Sequence, residues 1–199
     1  LPVKNSKATF YSFGSINTKE SDAYAYTRNM SSNADRFPVT ALGVPINVPS
    51  IMQTTNDGET YYNPRILTAI NDAAVSFGFK GITQKSWNWD VSLVTGKNDF
   101  QYFGDKTFNA SLIGNTSKTY FIDGGFRFRQ ATLNVDLSKN FKSIAKGLNI
   151  GYGFEYRNEK YGINKGEEAS YANYDPNGVQ GSGSQGFPGF SPSDVVDAK

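Results

Sequence analysis

The residue types that most often perform catalysis or bind metals are missing from this sequence. It contains no histidine and no cysteine, which removes the commonest catalytic base, the commonest metal ligand and every thiolate site. We also find no serine or threonine nucleophile paired with a base. We therefore expect no catalytic residues, no enzyme activity, no cofactor and no metal site in these 199 residues.

Three short motifs resemble functional sites, and each has a plainer interpretation. The run Asp175–Gly178 resembles a calcium loop but lacks further carboxylates and the bidentate glutamate, so it predicts an ordinary turn. Glu167 and Glu168 are adjacent, rather than set apart as an acid–base pair, and predict solvated loop charges. Gly151–Gly153 lies inside a strand pattern and is therefore not a phosphate-binding loop.

Four aromatic residues in the polar C-terminal stretch are candidates for ligand contact, because exposed aromatic side chains often anchor a binding partner. The alternative is that they pack against neighbouring loops. These residues are Tyr171, Tyr174, Phe187 and Phe190.

The composition is typical of a β-barrel in a membrane. Apolar residues make up 38% and aromatic residues 15% of the chain, too few apolar residues for a large dry core and too many aromatics for a disordered chain. A transmembrane barrel has this mixture, since apolar residues face lipid and polar residues line the lumen. No apolar run approaches the roughly 18 residues of a transmembrane helix. The net charge of +2, without a basic block, argues against nucleic acid as a partner.

Five segments alternate apolar and polar residues with a period of two, which predicts β-strands. A helix would spread the same residues over both of its faces. The predicted strands are Lys7–Ile16, Ala69–Ile82, Trp87–Phe103, Asp123–Lys139 and Leu148–Tyr161. We predict no long helix.

The predicted connections alternate between long and short, as in outer-membrane barrels with external loops and tight periplasmic turns. Strands two to five also exceed the roughly 9–11 residues that cross a membrane when tilted. The sequence thus predicts an all-β fold, an antiparallel transmembrane barrel fragment. The long connections are Asn17–Thr68, Gly104–Ile122 and Gly162–Lys199, and the short ones are Thr83–Ser86 and Asn140–Gly147.

The alternation also assigns the two faces of the strands. The outer, convex face is expected to carry Val91, Leu93, Leu133, Val135, Leu137, Ile150 and Phe154. Arg127 and Arg129 share its parity, so we place them beyond the apolar part, above the membrane. The opposite face would line the lumen with Asn88, Asp90, Asn134, Asp136, Glu155 and Arg157. Alternation alone also fits a soluble β-sandwich, whose apolar face turns inward.

Several segments resemble the barrel of TonB-dependent outer-membrane transporters, in order and spacing, from about residue 70 to the end. Two resemble rising strands, Trp87–Gly96 (WNWDVSLVTG) and Leu148–Tyr161 (LNIGYGFEYRNEKY), and Gly124–Asp136 (GGFRFRQATLNVD) resembles a descending strand. Those that resemble external loops are Thr107–Leu112 (TFNASL), Glu167–Asn173 (EEASYAN) and Gly183–Ala198 (GSQGFPGFSPSDVVDA).

The resemblance implies active uptake of a scarce substrate, a small molecule or glycan, across the bacterial outer membrane. The TonB system would supply the energy that moves a plug domain, and the lumen-facing residues would contact that plug. Residues 1–199 would be a partial barrel in contact with outer-membrane lipid, because five strands cannot close around a lumen. The plug and the remaining strands would lie elsewhere in a longer protein. A passive porin and a soluble carbohydrate-binding β-sandwich are the alternatives.

Overall fold

The computed structural model describes residues 1–4, 7–144 and 146–198, and its regular structure is almost entirely strand. The strands are β1 (Ala8–Tyr24), β2 (Arg28–Asn29), β3 (Gln53–Thr54), β4 (Thr60–Tyr62), β5 (Arg65–Ile82), β6 (Asn88–Asp105), β7 (Phe121–Phe141), β8 (Leu148–Lys165) and β9 (Val196–Ala198). Single-turn 3-10 helices span Ala34–Arg36, Glu168–Ser170 and Pro192–Asp194. The predicted all-β class is confirmed. Within the described residues, no helix is both long and apolar enough to span a membrane.

The five long strands form one antiparallel sheet in the order β1-β5-β6-β7-β8, with short β9 added at the far edge. All five predicted strands are thus present. The sheet is open in the described part of the chain, since β1 and β9 lie at opposite edges. The short β2, β4 and β3 form a separate small sheet. Two predicted connections include residues outside the described ranges, namely Ala145 in the second short turn and Lys199 in the C-terminal stretch.

The long strands extend further than the alternation predicts. β1 continues to Tyr24 and β5 begins at Arg65, so the interpretation of residues 17–68 as one long loop is wrong at both ends. Polar cross-strand pairs hold these extensions together, and they carry no apolar alternation. Arg65, for example, donates through Nε to Asp22 at 2.6 Å across the two strands, the kind of opposite-charge pair that stabilises a sheet.

Directly opposed residues share a face in an antiparallel sheet, so the pairing defines rows of side chains across the long strands. Four successive rows on one face are mainly apolar, and we call them the apolar band. The rows are Ala8-Gly81-Trp89-Leu137-Tyr152, Phe10-Phe79-Val91-Val135-Phe154, Ser12-Phe77-Leu93-Leu133-Tyr156 and Gly14-Val75-Thr95-Ala131-Asn158. Six of the seven residues expected to face outward lie in this band, and Ile150 lies one row below it, opposite Lys139.

The apolar band is open to the surroundings, whereas two small polar residues of the opposite face are buried among their neighbours. Phe77 and Leu133 in the band are 39% and 38% exposed, but Ser76 and Thr132 on the other face are only 5% exposed. Among the described helices and strands, the long strands make extensive contacts only with their neighbours in the sheet. A β-sandwich would instead cover its apolar face with a second sheet.

The hydrophobic core lies in the long connections rather than on the sheet. Segments 25–64, 106–120 and 166–195 meet at one end of the molecule, and we call this region the loop cap. Its core contains Phe37, Met52, Tyr62 and Phe108. The ring of Tyr62 packs edge-on against those of Phe37 and Phe108, with centroids 5.1 and 5.2 Å apart, as aromatic pairs prefer. The connections between strands are therefore a packed unit.

Candidate functional site

The face opposite the apolar band, which we call the polar face, gathers the six residues predicted to line an interior. The pairing places Asp90 opposite Asp136 and Asn134 opposite Glu155. Continuous pairing puts Asn88 and Arg157 on the same face. Their contact with a further domain stays a prediction.

The two opposed carboxylates on the polar face turn away from each other. Asp90 accepts a hydrogen bond from the hydroxyl of Tyr11 at 2.6 Å, and the Tyr11 ring lies over Gly78, where a Cβ would be 2.7 Å from the ring. Asp136 turns the other way and lies over Gly153, where a Cβ would be 2.6 Å from Oδ1. The two glycines thus leave room for a separation that reduces like-charge repulsion between neighbouring strands.

The polar face presents hydrogen-bonding groups to open space. A groove of about 720 Å³ runs along its short-turn end, between Lys80 and Asp136. Arg157 pairs with Glu155 along its own strand at 2.8 Å, while the side chain of Asn134 has no hydrogen bond within the described residues. Such a surface suits a polar partner, and none of these groups forms a nucleophile–base pair.

Buried polar side chains join the segments of the loop cap. Asn109 is only 2% exposed, and its Nδ2 donates to the carbonyls of Ala169 and Ala172 at 2.8 and 2.9 Å. The amide of Gln185 donates to Thr107 Oγ1 at 3.1 Å. The sequence resemblance predicts one loop at 107–112 and another that includes 167–173 and 183–198, and the structure shows that these segments bind one another.

Two of the four aromatic candidates for ligand contact pack onto the sheet. Phe187 stacks on Tyr102 with ring centroids 4.4 Å apart, and Phe190 packs edge-on against Phe126 at 5.1 Å. Tyr102 and Phe126 lie at the long-loop end of the polar face. These contacts favour the packing interpretation for Phe187 and Phe190.

The other two candidates differ in exposure. Tyr171 is partly buried, whereas Tyr174 is 39% exposed and lines a surface cavity of about 400 Å³ with Ile113 and Pro176. Partial burial, reinforced by the nearby carboxylate of Glu168, raises the pKa of the Tyr174 hydroxyl. Of the four candidates, Tyr174 is the best placed to meet a ligand from solution.

Asp175 forms a turn, as its sequence context predicts. Its carboxylate accepts hydrogen bonds from the backbone amides of Asn177, Val179 and Gln180 at 2.9, 2.8 and 2.9 Å. Gly178 has a φ of +66°, a conformation that glycine adopts without strain. The three amides lower the pKa of the Asp175 carboxyl group, since they stabilise its charged form.

A buried carboxyl group that the sequence pattern did not reveal lies under the loop cap, well beyond the apolar band. Asp123 is fully buried, at a bulge in the pairing of β6 with β7. Neither its carboxyl oxygens nor the buried hydroxyl of Ser184 has a hydrogen-bond partner within the described residues. Both side chains lie against the backbone of Gly104. Desolvation, reinforced by the charge of Glu167, raises the pKa of Asp123 to about 8, so this group is mostly protonated at neutral pH.

We expect Asn109→Ala to loosen the loop cap. The change removes the hydrogen bonds that Asn109 donates to the carbonyls of Ala169 and Ala172 and those that its Oδ1 accepts from Ser111. The amides of segment 166–190 should then exchange with solvent roughly thirtyfold faster or more, measured by hydrogen–deuterium exchange. Asn115→Ala is the matched control, because Asn115 is exposed and bonds only within its own loop. Equal effects of the two changes would contradict the role given to Asn109.

Comparison of the chain with protein-family models, with curated proteins and with solved structures found no match. The function is therefore inferred from the apolar band, the polar face and the loop cap.

Proposed function

We propose that this chain forms part of the wall and the external loops of a β-barrel in the bacterial outer membrane, belonging to a TonB-dependent transporter. The observation that carries the proposal is the apolar band, four rows deep and uncovered by any described element of the chain. A contiguous apolar surface of this kind marks contact with a membrane or a partner. Because the apolar band extends across five strands, membrane hydrocarbon is the environment that suits it.

The dimensions of the band suit a membrane. Its rows span residues 89–95 of β6, about 20 Å along the strand at roughly 3.3 Å per residue. Trp87, which packs beside Tyr152 of the band, extends this apolar part to nine residues, 87–95, within the roughly 9–11 that a tilted strand needs to cross a membrane. At the short-turn end, Trp87 packs edge-on against Phe141 and Tyr152, with centroids 6.2 and 5.8 Å apart. Aromatic girdles flank the apolar part of transmembrane barrels at such positions.

The two ends of the sheet suit the two sides of an outer membrane. Short turns join β5 to β6 and β7 to β8, whereas the long segments all meet at the other end in the loop cap. Long loops face outward in outer-membrane barrels, so the loop cap would be external. Tyr174, on its surface, is then the favoured contact for an incoming substrate.

The polar face would line the lumen and bind the plug domain of the full-length protein. Free groups such as Asn134 give the plug hydrogen-bond partners. Gly151 carries no side chain, and the nearest atom to the position that a Cβ would take is 3.7 Å away, so a second backbone can approach closely there. The plug would open when the TonB system of the inner membrane pulls on it, and the wall described here would guide the substrate past it.

Contact with lipid can be read from single cysteines, because the chain contains none. We expect a bimane label at Leu133→Cys and Val135→Cys to be quenched strongly by nitroxide on lipid acyl chains, and the same label at Asn134→Cys and Asp136→Cys weakly. The alternation follows from the two faces of β7. The measurement is fluorescence quenching of the full-length protein in vesicles, with other cysteines removed. Uniform quenching along β7 would contradict the proposal that one face of this strand contacts lipid.

A second measurement separates a plugged transporter from an open pore. Vesicles that contain the full-length protein should resist sugar permeation in a swelling assay, because the plug fills the lumen. Rapid swelling would indicate a passive porin and would contradict the proposed transporter. The proposal that the chain forms a membrane barrel would be unaffected.

A further inference from the structure

The face that carries the apolar band becomes basic immediately beyond it, toward the loop cap. The next row is Ile16-Ala73-Lys97-Arg129-Lys160, so three cations stand side by side on adjacent strands. We call Lys97, Arg129 and Lys160 the basic row. Arg127 lies one row further along the same face. Directly opposed like charges destabilise a sheet, so this arrangement needs an anion.

The described residues provide few carboxylates to balance these cations. Lys97 pairs with Asp99 at 3.1 Å, and Arg127 lies 3.8 Å from Asp197. Arg129 and Lys160 are exposed and form no ion pair or hydrogen bond with any described residue. Arg129 stands on β7, whose two neighbouring strands are both present. A further strand of the same barrel therefore cannot lie directly opposite Arg129.

An apolar groove adjoins the basic row on the same face. It encloses about 770 Å³, and small side chains form its floor, with Gly14, Ala73 and Thr95 among them. Lys97 and Arg129 stand at its rim. An acyl chain fits the groove and an anionic headgroup fits the rim, so the combined surface matches a lipid rather than a free anion.

We propose that the basic row binds the phosphate headgroup of an anionic lipid whose acyl chain lies in the groove. The inference rests on the proposed function, which makes this face lipid-exposed and places the basic row on the external side. A guanidinium group matches phosphate oxygens with two parallel hydrogen bonds, and Arg129 stands at the centre of the basic row. Binding removes the repulsion between the three cations.

The test measures binding of lipid A with two phosphates to the full-length protein in detergent micelles, by native mass spectrometry. We expect Arg129→Gln with Lys160→Gln to weaken binding about tenfold or more, since a charge-assisted hydrogen bond is lost. The matched control is Lys85→Gln with Lys142→Gln, which removes the same charge at the short-turn end. Arg129→Lys keeps the charge but loses the paired hydrogen bonds of the guanidinium group, so it should weaken binding less than the double change does. Lipid A without its phosphates should bind the native and the doubly changed protein equally weakly.

Equal binding by the native and the doubly changed protein would overturn the inference. Competition by inorganic phosphate at the same concentration as lipid A would also overturn it, because a free anion would then suffice. If the doubly changed protein fails to fold, Arg129→Gln alone and the comparison of the two forms of lipid A still decide, because equal binding in both comparisons would overturn the inference. Uniform nitroxide quenching along β7 would contradict the proposed function, because both faces of the strand would then have the same surroundings. Alternating quenching together with lipid binding that the double change does not alter would contradict only this inference.

Discussion

Val135→Arg is expected to destabilise the intact barrel by about 2–4 kcal/mol, the usual cost of an arginine facing the middle of the hydrocarbon, and Asn134→Arg by much less. Val135 stands in the second row of the apolar band, between Val91 and Phe154. An arginine there loses its hydration without gaining a partner. The measurement is reversible unfolding of the full-length variants from lipid vesicles.

Asn134→Arg is the matched control, because it places the same side chain at the next position of the same strand. Asn134 lies opposite Glu155 on the polar face, so an arginine there meets an opposite charge and stays in contact with water. Contact with the plug would change binding of the plug rather than unfolding of the wall. An equal cost for both, or a larger one for Asn134→Arg, would mean that the two faces are inverted and that a soluble β-fold is the better description.

The strands were predictable because a single strand contains its own evidence. In β6, Trp89, Val91 and Leu93 alternate with polar residues, and this pattern alone predicts both the strand and its two faces. When neighbouring strands pair without a bulge, the face of one residue determines the faces of the residues opposite it in every strand of the sheet. The pairing places Arg127 and Arg129 on the face of the apolar band and beyond its last row, and their position above a membrane stays a prediction.

The polar ends of the strands could not be found by the same reasoning. The end of β1 is held by pairs such as Asp22 with Arg65, which lie far apart in the sequence and show no periodicity. The loop cap was missed for a related reason. Asn109 recognises carbonyl groups about sixty residues away, at Ala169 and Ala172, and no local pattern predicts such a contact. Only the resemblance had grouped these segments as loops, without showing that they bind one another.

Asp123 was missed because nothing in its neighbourhood distinguishes it from an ordinary polar residue at a strand end. Its burial depends on a bulge and on the C-terminal segment, which closes over it. The amide of Phe190 donates to the carbonyl of Asp123 at 2.9 Å, and that of Glu167 donates to the carbonyl of Ile122 at 2.8 Å. The carboxyl group thus lies where the loop cap is fastened to the sheet, and its ionisation should loosen that attachment.

The pH dependence follows from the direction of the shift. The pKa of Asp123 is about 8 in the closed loop cap and returns to roughly 3.9 when the loop cap opens. Below about pH 4 both states are protonated, so the favourable contribution is fully present. Between about pH 4 and 8 only the open state ionises, and stability falls by up to about 1.4 kcal/mol per pH unit. Asp175 has the opposite sign, since its lowered pKa removes stability only as the pH falls below the ordinary aspartate range.

Asp123→Asn should therefore stabilise the closed loop cap by about 2–5 kcal/mol at pH 8 and remove most of the pH dependence between 5 and 8. The amide keeps the size of the carboxyl group and cannot ionise. The measurement is hydrogen–deuterium exchange of residues 183–190 in the full-length protein, corrected for the intrinsic rate at each pH. Protection in the native protein should fall by up to about tenfold per pH unit. Asp105→Asn, on the neighbouring strand and not fully buried, is the control and should leave that slope in place. A native protein whose protection does not change from pH 5 to 8 would show that Asp123 is already ionised in the closed loop cap, held by a counter-charge.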